Sequence, residues 1–393
     1  MISCQKNEED PGQVIRIGVL LPLTGTGASV GESSNAAIEI AVQDISQYLK
    51  EVNPDFQVQL TIEDTQSDPV AAIDKFTALT DKGIGCIIGP YISSEVDAIK
   101  SFADEDGILI VSPASVATSL SVPGDNIFRL VPDMTGQSEA MAALLSDDHI
   151  EVLVPVVRDD LWGHELLEST TQQFLQSRKE VIEAIIYPPT TTDFTEVVGS
   201  LSNKVNDALN KYTAEEIGIY LLCYDEGTVI MNLASYENKF TGVRWYGNTA
   251  YAENKTLPGD PVAAAFAMTT SLACPVFGYD PTARSKWEPL LTELQNELGR
   301  KPEIYAFTTY DALWLMTLTW QSAGGNADIA SLKKAFKAQS DHYFGATGWT
   351  SLNEAGDRAV SIYDFWGIRW ITNDFVWTVV ARYNNATKEL DRY

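Results

Sequence analysis

The feature that most restricts what this chain can fold into is a rhythm: short β-branched apolar runs alternate with longer amphipathic stretches, and the series runs twice. Periods near 2 and near 3.6 taking turns in this way mark strands and helices in βαβ units. In the first series strands are expected near residues 15–21, 57–63, 84–89 and 108–111, with helices near 33–50, 69–82 and 93–106. These strands are almost wholly apolar, so both faces of their sheet must be covered. The second series places strands near 151–157, 181–187, 217–223, 243–246 and 265–271, with helices near 161–177, 194–212 and 227–237. From 281 to 339 the pattern is mostly helical, punctuated by Pro281, Pro302 and Gly324-Gly325, and from Phe344 onward it turns strand-rich. The fold class expected is therefore α/β, with two Rossmann-like lobes built on parallel sheets. Residues 14–133 and 277–341 are assigned to the first lobe, 134–276 and 342–393 to the second, and 1–13 to a polar, disordered tether.

Charge and metal chemistry narrow the function classes. The chain has 54 acidic side chains against 27 Lys plus Arg, a net charge of −27. A field of that sign repels phosphate backbones, which argues against a nucleic-acid partner. No apolar stretch approaches the ~18 residues a membrane-spanning helix needs. Three His and four Cys lie far apart, without C-x-x-C, H-E-x-x-H or other zinc-ligand spacing, so neither a metal nor a cofactor is expected. Cys86, Cys223 and Cys274 sit in or beside apolar runs and read as small buried thiols. Near the start, Ile2-Ser3-Cys4 resembles the end of a bacterial lipobox whose leader has been replaced by Met1, making Cys4 a candidate lipid-attachment residue.

Two motifs look catalytic and fail on context. Gly27-Ala28-Ser29-Val30-Gly31 matches G-x-S-x-G, but a nucleophile elbow needs its strand to run straight into the turn, and here residues 22–26 intervene. Gly25, Gly27 and Gly31 approach a dinucleotide fingerprint with the wrong spacing, and the nearest acids, Glu63 and Asp64, lie too far along for a ribose contact. What survives is a glycine-rich loop at the carboxyl end of a first parallel strand, where open α/β sheets bind ligands. The acidic pairs Asp159-Asp160 and Asp225-Glu226, and the histidines His149 and His164, read as solvated surface groups rather than acid–base machinery. No nucleophile, base and orienter assemble, so no enzyme is expected.

Strand ends carry a stronger signal. IIGPYISSE ends a buried strand and opens a helix, offering the Ser93 and Ser94 hydroxyls and free backbone N–H groups to a carboxylate or similar anion. Plain helix capping would explain either serine alone. Twenty residues on, VSPASVAT closes the next strand with small and hydroxyl residues that leave backbone groups open to a small ligand.

With these residues in view, the sequence resembles the type I solute-binding proteins of the leucine/isoleucine/valine-binding group that serve ABC importers. The resemblance runs through IRIGVLLPLTGTGASVG, IEDTQSDP, IIGPYISSE, ILIVSPAS, DNIFRLVPD, DDLWG, TTYDA and GWTSLNEAGDR. It implies two lobes joined by three crossovers, a ligand cleft between them, hinge closure, ABC permease subunits as partners, a monomer, and an exported, often lipid-anchored protein. By the same resemblance, Ser93 matches a carboxylate-binding serine, with Tyr91, Ser94, Ser115 and Thr118 nearby, and Ala114 matches a backbone carbonyl that meets the ligand ammonium. Val116 stands where amino-acid binders have a threonine. Trp162 and Tyr224 match aromatics that close over the ligand, and Val30 and Tyr305 fall at side-chain pocket positions. Thr249 stands where amino-acid binders place the acid that pairs with the ammonium. Either Asp225 or Glu226 takes that role, or the ligand is not an α-amino acid. The expected function is thus an extracytoplasmic solute-binding subunit taking a small polar solute, an amino acid first, with small amides, urea-like molecules and carboxylates as alternatives; a ligand-sensing ectodomain or regulator is the competing class.

Overall fold

A computed structural model describes residues 13–176, 179–324, 327–359, 362–385 and 387–393, so Cys4 and nearly all of the expected tether lie outside the described residues. The first series forms β1 (Gln13–Leu21), α1 (Ala28–Val52), β2 (Phe56–Asp64), α2 (Pro69–Thr80), β3 (Cys86–Ile88), α3 (Ser93–Asp106), β4 (Leu109–Ser112) and β5 (Ile127–Arg129). The strands pair in parallel in the order β2-β1-β3-β4-β5. β3 and β4 are buried along their whole length, as strands covered on both faces must be, whereas the edge strand β2 alternates. Because the chain winds outward from β1 in both directions, a crevice opens at the carboxyl ends of β1 and β3.

The second series repeats the plan with α4 (Met134–Asp147), β6 (Val152–Arg158), α5 (Leu161–Leu175), β7 (Glu180–Val181), β8 (Ile185–Tyr187), α6 (Thr195–Leu209), β9 (Ile217–Leu222), α7 (Gly227–Ala234) and β10 (Arg244–Tyr246). All of its strand pairs are parallel. The strand expected over 181–187 is divided into β7 and β8, which pair with β6 at separate points. α8 (Thr256–Gly259) and α9 (Pro261–Thr269) follow, and here the structure corrects the reading. The strand expected over 265–271 is helix, because Asp260 accepts hydrogen bonds from the Val262 and Ala263 N–H groups and Pro261 presets the first turn of an alanine-rich segment. The strand comes later, as β11 (Cys274–Phe277).

The remainder comprises α10 (Arg284–Leu298), α11 (Ile304–Ala323), α12 (Ile329–His342), β12 (Phe344–Gly345), β13 (Gly348–Trp349), β14 (Ile362–Ile371), β15 (Asp374–Asn384) and β16 (Glu389–Arg392). α10 and α11 lie along α1, and α12 packs under β4, so this helical run covers the first sheet. β11, β14, β15 and β16 form an antiparallel sheet whose members pack on α4, α8 and α9 beside the second. The chain passes between the two halves three times: from β5 into α4, from β11 into α10, and from β13 into β14.

That third passage is clasped. Asp311, buried on α11, accepts hydrogen bonds from the backbone N–H of Ala346 (2.7 Å) and Thr347 (2.8 Å). Arg129 at the end of β5 pairs with the equally buried Asp357 and donates to the Ala117 carbonyl at 2.6 Å. Asp311 of TTYDA and Asp357 of GWTSLNEAGDR therefore hold the crossover rather than a ligand.

Candidate ligand-binding cleft

Two glycines set the walls. A Cβ on Gly31 would collide with the Pro22 carbonyl, and one on Gly163 with the Arg158 carbonyl. Each glycine lets the helix after a lobe's leading strand start flush against that strand, so α1 and α5 present their first turns to the same space. Between the lobes lies a cavity of about 50 Å³. Its lining comes from the carboxyl ends of five strands: Pro22, Thr26, Gly27 and Val30 after β1; Tyr91, Ile92 and Ser93 after β3; Ala114 and Val116 after β4; Trp162 after β6; Tyr224 and Asp225 after β9. Ala250, beyond β10, and Tyr305, in the first turn of α11, complete it.

Nine of the residues singled out in sequence meet here: Val30, Tyr91, Ser93, Ala114, Val116, Trp162, Tyr224, Asp225 and Tyr305. Four do not line the cavity. Ser94 stands one residue further along α3, and Thr118 is exposed on a 3-10 turn. Ser115 stands behind Ser93, donating its hydroxyl to the Ser93 oxygen at 3.1 Å. The Thr249 hydroxyl is turned to the side-chain oxygen of Gln137. Gly27 belongs to the glycine-rich loop that the sequence had placed at the crevice; Pro22, Thr26, Ile92 and Ala250 were not picked out, their sequence signal being only a place in the loops that follow strands.

Ser93 is prepared as a donor. Its oxygen accepts from Ser115 and from the Ala117 N–H at 3.3 Å, which leaves its own proton to offer. Ile92, not a serine, occupies the N-cap of α3 and makes no side-chain cap, so plain capping does not account for the two serines. The loops bearing these groups are fixed from beneath by α11: Thr308 donates to the Pro113 carbonyl at 2.8 Å, and Thr309 meets the Tyr91 hydroxyl at 2.6 Å.

Opposite stands an aromatic wall, with Trp162 stacked on Tyr224 at 5.0 Å between ring centroids. The Arg158 guanidinium lies 4.7 Å over the Tyr224 ring, anchored by Asp160 (2.8 Å) and by Glu226 (2.9 Å), which also accepts from the Tyr187 hydroxyl at 3.0 Å. Both contacts use the Glu226 Oε1 atom, while its Oε2 is buried without a hydrogen-bond partner. Asp225 faces the cavity instead; burial, reinforced by Glu303 and Glu226, pushes its carboxyl up to about 7 against the pull of the Ser29 backbone N–H and Lys255. Glu95, fully buried in the first turn of α3, is pushed up to about 8 by burial, with Asp68 and Asp64 acting in the same direction. Ser29 is no nucleophile: its hydroxyl donates to Glu303 and accepts from the Lys255 N–H across the lobes at 3.2 Å. Among the described residues no cluster of His, Cys, Asp and Glu could hold a metal ion, and Cys86, Cys223 and Cys274 are free and buried.

Known proteins place this geometry in context. A sequence profile described as periplasmic binding protein matches residues 14–365. An uncharacterized protein of Methanocaldococcus jannaschii is 26% identical over 415 aligned positions, covering 100% of this chain and 96% of its own. Among solved structures, a leucine binding protein from Thermotoga maritima superposes with a TM-score of 0.75 at 19% identity, covering 95% of this chain and 99% of its own. A solute binding protein of an ABC transporter from Rhodopseudomonas palustris, in complex with 3,4-dihydroxybenzoic acid, does so with a TM-score of 0.76 at 16% identity, covering 95% and 98%.

Proposed function

Since this chain belongs to the periplasmic binding protein family, we propose that it is the extracytoplasmic solute-binding subunit of an ABC importer, taking one small polar organic solute, an amino acid first, into the cleft between its lobes. The observation that carries this reading is the cavity itself, walled by aromatic rings and supplied with polar groups only where the carboxyl ends of two parallel sheets converge. A solute seated there touches Ser93 and the α3 N-terminus on one side and Trp162, Tyr224 and Asp225 on the other. Contact with both lobes gives it a higher affinity for the closed arrangement than for an open one, so binding shifts the population toward closure, the form offered to permease subunits.

The lobes are assigned as residues 14–133 with 277–341 and 134–276 with 342–393. The packing of α10, α11 and α12 on the first sheet, and of β14 and β15 on α4, α8 and α9, supports this division except at its last boundary: the residues from β12 to Asp357 are bonded to Asp311, Lys337 and Arg129, which moves the start of the final second-lobe segment to β14. Family membership favours an extracytoplasmic location. Attachment through a lipid on Cys4, and a monomeric state, are part of the same proposal; mass spectrometry of the natural protein finding Cys4 unmodified removes the anchor.

The test is a thermal-denaturation screen of the purified chain against amino acids, small amides, urea and short or aromatic carboxylates. A solute present at 100 times its Kd adds about 2.7 kcal/mol to the stability of the folded state. A clear upward shift by one chemical class is expected. Uniform indifference across all of them rejects the reading.

A further inference from the structure

Glu95 is the third residue of α3, in the same first turn as Ser93, which with Ile92 lines the cavity. Its side chain is fully buried, and neither carboxyl oxygen has a hydrogen-bond partner. We infer that Glu95 sets the cleft's affinity for acidic solutes by competing for the start of α3: protonated, it leaves those N–H groups to the solute's anionic pole, and ionised, it takes them itself, so that an acidic solute enters together with a proton. The inference rests on the solute-binding reading above and adds to it a control on that same site.

Position creates the competition. A glutamate three residues after an N-cap ordinarily reaches back, as a carboxylate, to the N-cap N–H. In α3 the N-cap is Ile92, whose side chain caps nothing, so the start of the helix is open to whichever anion reaches it. Burial holds Glu95 back: it raises the carboxyl to about 8, with Asp68 at the start of α2 and Asp64 at the end of β2 acting the same way, against the pull of the Thr65 hydroxyl and the Ile92 N–H. Neither of the last two closes a hydrogen bond to it, and Thr65 Oγ1 is itself buried without a partner. Ionised in that setting, the carboxylate is a buried charge without compensation; the neutral acid costs far less. β4, also packed on α3, carries no ionisable group, and the charged groups in the first two turns of α5 are engaged elsewhere, His164 with Asp159 and Glu165 with the Ser119 N–H. From the second lobe Tyr224, a wall of the cavity, is close enough for its hydroxyl to feel the Glu95 charge. The carboxyl therefore lies behind the first-lobe wall, where a solute's anion meets α3. A negative charge seated there opposes ionisation of Glu95, and by linkage ionised Glu95 opposes the solute to the same extent.

Isothermal titration of the full chain and of its Glu95→Gln variant, a neutral isostere, tests this with L-leucine, benzoate and any acidic solute that the thermal screen returns. Between pH 7.5 and 9, Kd should rise about eightfold more in the unmodified chain than in Glu95→Gln, as follows when only the form protonated near 8 binds. Comparing the two proteins cancels the titration of Asp225 and of the solute's own groups. The unmodified chain gives a second readout that does not depend on the variant's folding. Titrations at pH 8 in two buffers of unlike ionisation enthalpy should report net uptake of about half a proton per solute bound. Equal pH slopes in the two folded proteins, or binding without proton uptake, overturns the inference and leaves solute binding standing. A screen that returns only solutes without an acidic group does the same, and a blank screen overturns both.

Discussion

Ser93 and Glu95 are two residues apart on α3 and have opposite assignments. Ser93 offers a proton because two neighbours already occupy its oxygen. Ser93→Ala should weaken any carboxylate ligand by about 1.5–3 kcal/mol, the usual worth of a hydrogen bond to a charged group, measurable by titration as a tenfold or greater rise in Kd. Unchanged affinity would remove Ser93 from contact. Glu95 instead titrates near 8 in the fold against an ordinary value of 4.5. Between those two values the folded state keeps a proton that the unfolded state releases. Stability from this group is therefore complete below about pH 4.5 and lost as pH rises toward 8, by an amount on the order of a few kcal/mol. Glu95→Gln should flatten that part of the denaturation-midpoint profile; an unaltered slope would show that the carboxyl is ionised in the fold. Position in the sequence exposed the serine, standing at a strand end before a helix. Nothing in the sequence marked Glu95 as buried, because its burial depends on how α3 lies against the turn after β2.

At the scale of elements, the βαβ rhythm was legible wherever strands were interior, since β3, β4, β6 and β9, and β1 from Ile17 onward, need nearly uninterrupted apolar residues and display them. It misled at 265–271, where an apolar run too short to show a helical period was settled by its cap and proline instead. The short strand β5 was illegible as such; Arg129 within it is polar in sequence and buried in the fold because Asp357, far along the chain, supplies its partner. Asp357→Ala should destabilise the protein by about 3–5 kcal/mol in chemical denaturation, since it strands a buried guanidinium. A loss below 1 kcal/mol would mean that water reaches Arg129. Likewise α11 carries Thr308, Thr309 and Asp311 on one helix, tying two cavity loops and a crossover together. The sequence reading took TTYDA as a family mark and left its mechanical role unseen, because all three partners are remote in sequence.

Across the whole molecule, the two halves meet at the cleft rim through polar contacts: the Glu32 carboxylate, steadied within its own half by Arg300 at 2.9 Å, is bridged by Lys255 of the other half at 2.7 Å, and the Ser119 N–H donates to Glu165 at 3.1 Å. Contacts half open to water are individually weak, so solute contact rather than the rim should decide closure. Small-angle scattering with a saturating ligand is expected to give a smaller radius of gyration than without it; identical curves would remove hinge closure from the account. The positions of α1, α3, α5 and α7 add a further consequence. All four begin at strand ends around the cavity, but the first amides of α5 are capped by Asp160, those of α7 bond the turn before it and Ser29 of α1 faces Asp225, which leaves the uncapped start of α3 as the inward-facing set of amide hydrogens in a chain whose overall charge is −27. An approaching anion is repelled at a distance and welcomed on arrival, and dissolved ions erase the first influence far more than the second. Adding sodium chloride should accordingly quicken the capture of an acidic solute while hardly touching how long it stays.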